Sequence, residues 1–342
     1  MIESLTREAV KNVIEGKGAG ERVPVAIHFW NGPGAFVPEQ IDAVCQIRDR
    51  YPSDIHFYSI ALPEAYKAPE SDSKYRWINY KDCEDTDTAG ALDSNDYISD
   101  MESEIDLLIE NMPNPYYADL FAHVEPNTDN RYAVCHWWYC LFERHWWLRG
   151  MENALTDFYL YPEAVHKLYR ALTDFYKVLI VRAKNELSAD GIFVSDDIGT
   201  QTGPFFSLDI FNTFFLPYYR ELIEAVHQNG MHFWLHSCGN IKEFLPGLID
   251  AGLDVIHPIQ KYTMDEKDIA DEFGGKICFW AGFDVQQIIP YGTAEDVRCE
   301  VDFLKSVFQR PDGRLILAAG NGITGDCPLE SLDALYESCY EK

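Results

Sequence analysis

The sequence predicts an α/β fold, a (β/α)8 TIM barrel. Three observations carry that reading. Short apolar, β-branched or aromatic runs alternate with longer segments of helical periodicity. Eight such runs are present along the chain. Polar residues gather just beyond the ends of those runs, where a barrel of this kind builds its active site.

The elements follow in order. "RVPVAIHFW" (Arg22 to Trp30) reads as a first strand, and "PEQIDAVCQIRDRYP" as its helix. "DIHFYSIAL" is the second strand. An acidic, turn-rich stretch of about 63–96 reads as a solvated insertion or lid within a single domain spanning 1–342. "YAVCHWWYCLF" is the third strand, and "YPEAVHKLYRALTDFYKVLIVRAKNEL" has the best 3.6-residue pattern in the chain. "GIFVSDD" is the fourth strand. Ser207 then caps a helix that Pro217 should kink and Gly230 should end. "MHFWLHSC", "DVIHPI", "KICFWAGF" and "RLILAAGN" complete the set, separated by helical segments, and "LESLDALYESCYEK" closes the chain.

Composition narrows the partners. The 342 residues hold 56 acids against 28 bases, a net charge of −28. Nucleic acid and anionic membrane are therefore not expected partners. No apolar leader and no run long enough to span a bilayer is visible, so a cytoplasmic protein is expected. Nine cysteines without regular spacing point to thiols and not to a disulfide framework.

The sharpest chemical signal is "WLHSCGN". Side chains at i and i+2 of a strand point the same way, so His236 and Cys238 converge at the strand end, with Gly239 free to turn sharply. Imidazole plus thiolate suits zinc, which needs at least a third protein ligand. Cys327, after the eighth strand, is a candidate second thiolate, whereas Asn321 is closer to the strand end but a poor zinc ligand. "SDDIGTQTG" carries Asp196 and Asp197, of which only one can share the inward face; Gln201 lies in the same loop. An acid there is a candidate general acid or base, cation holder or metal ligand. His28 and Trp30 in "HFWNGPGAF", and His136 and His145 in the aromatic run "CHWWYCLFERHWW", are candidate pocket residues. His257 and Gln260 in "HPIQ", and Asp284 and Gln286 in "AGFDVQ", are candidate substrate binders, as is Asn321. No G-x-S-x-G, P-loop or dinucleotide fingerprint follows a strand.

Taken in order, "REAVKNVIEGKGAGERVPV", "DDIGTQTG", "LHSCGNIKEFLPGLIDAGLDVIHPIQ", "FWAGFDVQQIIPYGTAEDV" and "GNGITGDCPLESLDAL" resemble the uroporphyrinogen decarboxylase superfamily over nearly the whole chain. The resemblance implies the same barrel fold. True decarboxylases of that family carry an arginine-rich R-Q-A-G-R-Y motif near the start. Here the corresponding loop, "HFWNGPGAF", has no arginine, which argues against that activity. The resemblance is nearer to the cobamide-dependent methyltransferase branch, which holds zinc with His-x-Cys and a later Cys. His236 and Cys238 match the first two ligands. The position directly before G-I, where the family has its later Cys, is Asn321 in this chain. The site is then completed by Cys327, the preferred choice, or by a carboxylate such as Asp197, or is changed in purpose. The resemblance implies zinc and a corrinoid (methylcobalamin) carried by a partner protein, with a small-molecule methyl donor or acceptor.

Overall fold

In the computed structural model, residues 2–30, 32–60, 62–65, 67–82 and 97–341 are described. Seven parallel strands run in chain order through one strongly curled, open sheet. They are β1 (Ile55–Ser59), β2 (Tyr132–Trp137), β3 (Gly191–Ser195), β4 (His232–His236), β5 (Val255–His257), β6 (Cys278–Phe283) and β7 (Leu315–Ala319). Every pair of neighbours is joined through helical crossovers, as parallel pairing demands.

The expected first strand, Arg22 to Trp30, does not form a ladder. It lies across the gap between β7 and β1 and, among the described residues, makes only the isolated bridges Val25–Leu317 and Phe29–Ile323. The cause is visible in its sequence: Pro24 has no N–H to give a ladder. Its carbonyl still accepts from Leu317 N at 2.9 Å, and Val25 O accepts from Asp54 N at 2.9 Å. The sheet is thus a half-barrel whose seam is covered by an irregular segment, not a closed eight-stranded barrel.

Strand parity sorts the side chains into two sets. One set faces inward: Ala26, Ile55, Tyr132, Val134, Phe193, Trp234, Val255, Trp280, Ile316 and Ala318 form a compact inner cluster. The other set faces the helices and joins the large outer core. Trp234 and Trp280 are fully buried and pack edge to face with centroids 5.4 Å apart. Burial of side chains this size contributes on the order of 1.5–3 kcal/mol each. This inner layer is a floor, and the inward residues one step beyond it form the candidate site.

Two further expectations changed in detail. The segment after Ser207 is not one kinked helix: Leu208–Ile210 and Leu216–Gln228 are separated by a widened turn at Phe211–Phe215, which ends just before Pro217. Proline there leaves one carbonyl unpaired, which the wider turn accommodates. The stretch expected to be a solvated insertion buries Tyr75, Trp77 and Ile78 in the outer core, so its first part is structural. Its segment 83–96 lies outside the described residues.

Candidate metal centre

His236 ends β4, and Cys238 follows two residues later on the same inward file. Asp197 stands in the same relation to β3: Phe193 faces inward, so residues 195 and 197 follow it and Asp196 faces the helices. Register pairs Ser195 with His236, which brings the two strand ends side by side. The ligand atoms of Asp197, His236 and Cys238 lie within 4.8 Å of one another, the one such group among the described residues. His236 Nε2 is 3.4 Å from Cys238 Sγ and 3.5 Å from Asp197 Oδ1. Cys238 N donates to Asp197 Oδ1 at 2.6 Å, locking the loops after β3 and β4 together. Gly239 makes this possible: its φ is +85°, and a Cβ there would sit 2.4 Å from the Gly199 carbonyl carbon.

The surroundings are polar on few atoms and apolar on the rest. His236 Nδ1 is 2.7 Å from His257 Nδ1, and His257 Nε2 is 3.0 Å from the Ala319 carbonyl. Burial pushes both imidazoles toward the neutral form; Asp197 opposes this at His236, and the neighbouring rings His236 and His28 add to it at His257. His28 lies over the same layer, its ring 5.5 Å from that of His257, with Nδ1 buried and unpartnered. Burial, reinforced by His236 and His136, pushes its pKa down to about 3. Burial likewise takes His136 down to about 4; its ring sits 5.6 Å from Trp138. Burial raises the Cys238 thiol, and Asp197 and Glu143 add to the effect, so a thiolate there needs a cation.

The two aspartates have separate work. Asp196 is fully buried. It accepts from Leu141 N at 3.1 Å, Glu143 N at 2.8 Å and Tyr219 OH at 2.6 Å, at the start of the helix Phe142–Arg149. Burial raises its pKa to about 6 against the pull of those donors. It is a capping group, and the expectation of a catalytic role for it is corrected by this placement: parity turns it away from the site. Asp197 is the one that faces His236.

Other expected residues divide similarly. Cys327 is buried in the outer core with its Sγ 3.6 Å from the Pro328 carbonyl, outside the metal-competent group. Of the candidate third ligands, Asp197 and not Cys327 therefore lies in that group, because the loop after β7 turns Cys327 into the helix layer. Asn321 instead reaches the site: its Nδ2 is 3.7 Å from Cys238 Sγ, and its Oδ1 accepts from Gly322 N at 2.9 Å. Gln260 Oε1 accepts from Gly239 N at 2.6 Å, so it braces the turn. Asp284 is buried and accepts from Gln286 N, Gln287 N and Tyr262 OH at 2.9, 3.1 and 3.0 Å. A narrow cleft of about 50 Å³ joins Cys238, Gln260, Asp284, Gln286 and Asn321. Gln201 is exposed in the turn between the Gly199–Pro204 bridge partners and does not line that cleft. His145 belongs to a buried network with Asp157 and Tyr169 in the helix layer.

Two residues escaped sequence reasoning. Trp138 stands perpendicular to His236 at 6.0 Å and stacks on Trp30 at 6.1 Å. Both indoles keep surface open, 37% and 44%, so they wall the mouth. Parity from Tyr132 through His136 was the signal for Trp138. Glu143 is buried, and burial with the charges of Asp197 and Asp196 raises its pKa well above normal. It enters from a helix start, and no spacing in the sequence pointed to it.

The fold and the site together define an α/β half-barrel with a metal-competent group at its carboxyl-terminal rim. Residues 147–342, more than half of the chain, match the family described as uroporphyrinogen decarboxylase (URO-D), and the chain belongs to that family. Among solved structures, it is similar to a methyltransferase from Methanosarcina mazei, at a TM-score of 0.62 and 15% identity over 98% of each chain. A looser likeness links it to xylanase B from Clostridium stercorarium F9, at a TM-score of 0.43 and 12% identity over 93% of this chain and 88% of that one. At such identities the likeness is one of fold. No curated protein matches the chain. Among the described residues, no helix is long and apolar enough to cross a membrane.

Proposed function

We propose that the chain is a zinc-dependent methyltransferase that moves a methyl group between a corrinoid protein and a small substrate, thiol or folate-type acceptor. The observation that carries this reading is the convergence of Asp197, His236 and Cys238 within 4.8 Å at the rim of β3 and β4. One thiolate, one imidazole and one carboxylate fit zinc, with a position left over for an outside group. Zinc bound there would hold a thiol as thiolate near neutral pH or polarise a leaving oxygen or nitrogen.

The chain's own residues prepare that place. Asn321 directs an N–H toward Cys238 Sγ, which moderates the sulfur's charge. Trp30 and Trp138 offer flat apolar faces at the mouth, suited to a large planar partner group. His136 stands beside Trp138, His28 lies over His257, and Asp284 and Gln286 line the cleft at Cys238. The loop "HFWNGPGAF" offers no arginine for a substrate with many carboxylates.

The test sets two reactions side by side. The zinc-loaded protein is expected to exchange methyl groups between methylcobalamin and a thiol panel, and to leave uroporphyrinogen intact. Turnover of uroporphyrinogen by the wild type would overturn the proposal. Loss of methyl transfer in Cys238→Ser, with zinc binding lost in parallel, would support it.

A further inference from the structure

We infer that His257 is a positioning residue that fixes the tautomer of His236, leaving the Nε2 lone pair of His236 aimed at Cys238 and Asp197. The inference rests on the metal-ligand reading of His236 only in its consequence. The tautomer itself follows from hydrogen-bond geometry in the protein without metal.

Ala319 O is 3.0 Å from His257 Nε2, and a carbonyl only accepts. His257 Nε2 must therefore carry a hydrogen. A neutral imidazole has one N–H, so His257 Nδ1 is then a bare acceptor. Its ring packs against those of His28, Phe193, His236 and Trp280, and among the described residues the titratable groups that act on it are the imidazoles of His236 and His28, neither of which supports a second proton. His236 Nδ1 lies 2.7 Å from that acceptor, so His236 must donate from Nδ1. His236 is buried, which favours its neutral ring over the opposing pull of Asp197, and a neutral ring that donates from Nδ1 has no hydrogen on Nε2. That is the atom 3.4 Å from Cys238 Sγ and 3.5 Å from Asp197 Oδ1.

Strand placement makes the relay rigid. His236 and His257 are register partners on β4 and β5, and Ala319 ends β7. All three groups are buried, so water does not compete for the hydrogens. A ligand imidazole held by a hydrogen bond through its other nitrogen is fixed in both tautomer and ring orientation, and loss of such a partner costs on the order of 10–100-fold in metal affinity.

The choice of substitutions follows from the donor and acceptor pattern. His257→Gln keeps a carbonyl that accepts and an amide that donates. His257→Leu keeps neither. We would record long-range 15N–1H correlation spectra of the histidine rings in the metal-free wild type, then titrate zinc and cobalt into all three proteins. Expected are a hydrogen on Nε2 of His257 and on Nδ1 of His236, and a loss of affinity on the order of 10–100-fold in His257→Leu that His257→Gln largely restores. A hydrogen on Nε2 of His236 in the metal-free wild type would overturn the inference, as would wild-type affinity in a folded His257→Leu. If His257→Leu fails to fold, the ring spectrum of the wild type still decides. A wild type that binds neither ion would defeat the metal reading, and the same spectrum would separately support or overturn the tautomer.

Discussion

At the amino-terminal rim, β1, β3 and β5 are each preceded by an aspartate held by a basic side chain and by a backbone N–H. Asp54 pairs with Arg22 through bonds of 2.6 and 2.7 Å, and also accepts from Leu5 N and Val25 N at 2.6 and 2.7 Å. Asp190 is held by Arg7 and Ala133 N, and Asp254 by His227 and Phe233 N. At the carboxyl-terminal rim the balance is reversed. Burial and the charges of Asp197 and Asp196 push Glu143 toward its protonated form, the rings of His28 and His236 both pack on His257, and His28 Nδ1 has no partner. Evenly paired charge reads as stability and unbalanced buried polarity as function, in keeping with the division between the two ends of such barrels.

The strongest break of this comparison is one substitution at each rim. Asp54→Ala strands Arg22, which is only 8% exposed, and should lower stability by about 3–5 kcal/mol in urea unfolding. His236→Ala should lower zinc affinity by on the order of 100-fold or more, above the range for outer partners, with little change in the urea midpoint. A large loss of stability in His236→Ala would show that the upper rim is structural too.

Next come the adjacent aspartates. Asp196→Asn turns an amide against one of three donors and should cost about 1–3 kcal/mol, measured by urea unfolding, while zinc binding persists. Asp197→Asn should do the reverse. Equal loss of zinc in both would break the parity argument. Cys327→Ser should leave zinc affinity unchanged in a competition titration, because its sulfur faces Pro328.

The alternation of strands and helices was legible in the sequence because period 2 and period 3.6 separate cleanly here. The first strand was not, because a local apolar run says nothing of a ladder that Pro24 interrupts. His236 and Cys238 were legible from i, i+2 spacing alone. The same rule, counted from Phe193, picks Asp197 over Asp196, but only once Phe193 is known to face inward. Cys327 was misplaced for a different reason. It lies beyond β7 in an irregular loop, where chemistry suggests a ligand but no periodicity says which way it points. Glu143 was invisible because its approach to Asp197 depends on how a helix docks.

The smallest expected effect concerns the lower rim. The hydrogen bond to Asp254 raises the pKa of His227 above its ordinary 6.5, with burial opposing. A raised histidine adds stability that is fully present below its unfolded pKa and is lost as pH rises through its folded pKa. The wild type should therefore lose a little stability relative to His227→Gln between about pH 6 and pH 8, read from urea midpoints. A parallel pH profile for the two proteins would show that the pair adds nothing.

The central claim is that the rim group holds zinc through a single sulfur, with Cys327 outside it. Zinc K-edge X-ray absorption on the loaded wild type tests it most directly. The account predicts one sulfur at about 2.3 Å and the remaining ligands as nitrogen or oxygen at about 2.0–2.2 Å. Two sulfur ligands in the first shell, or none, would contradict it.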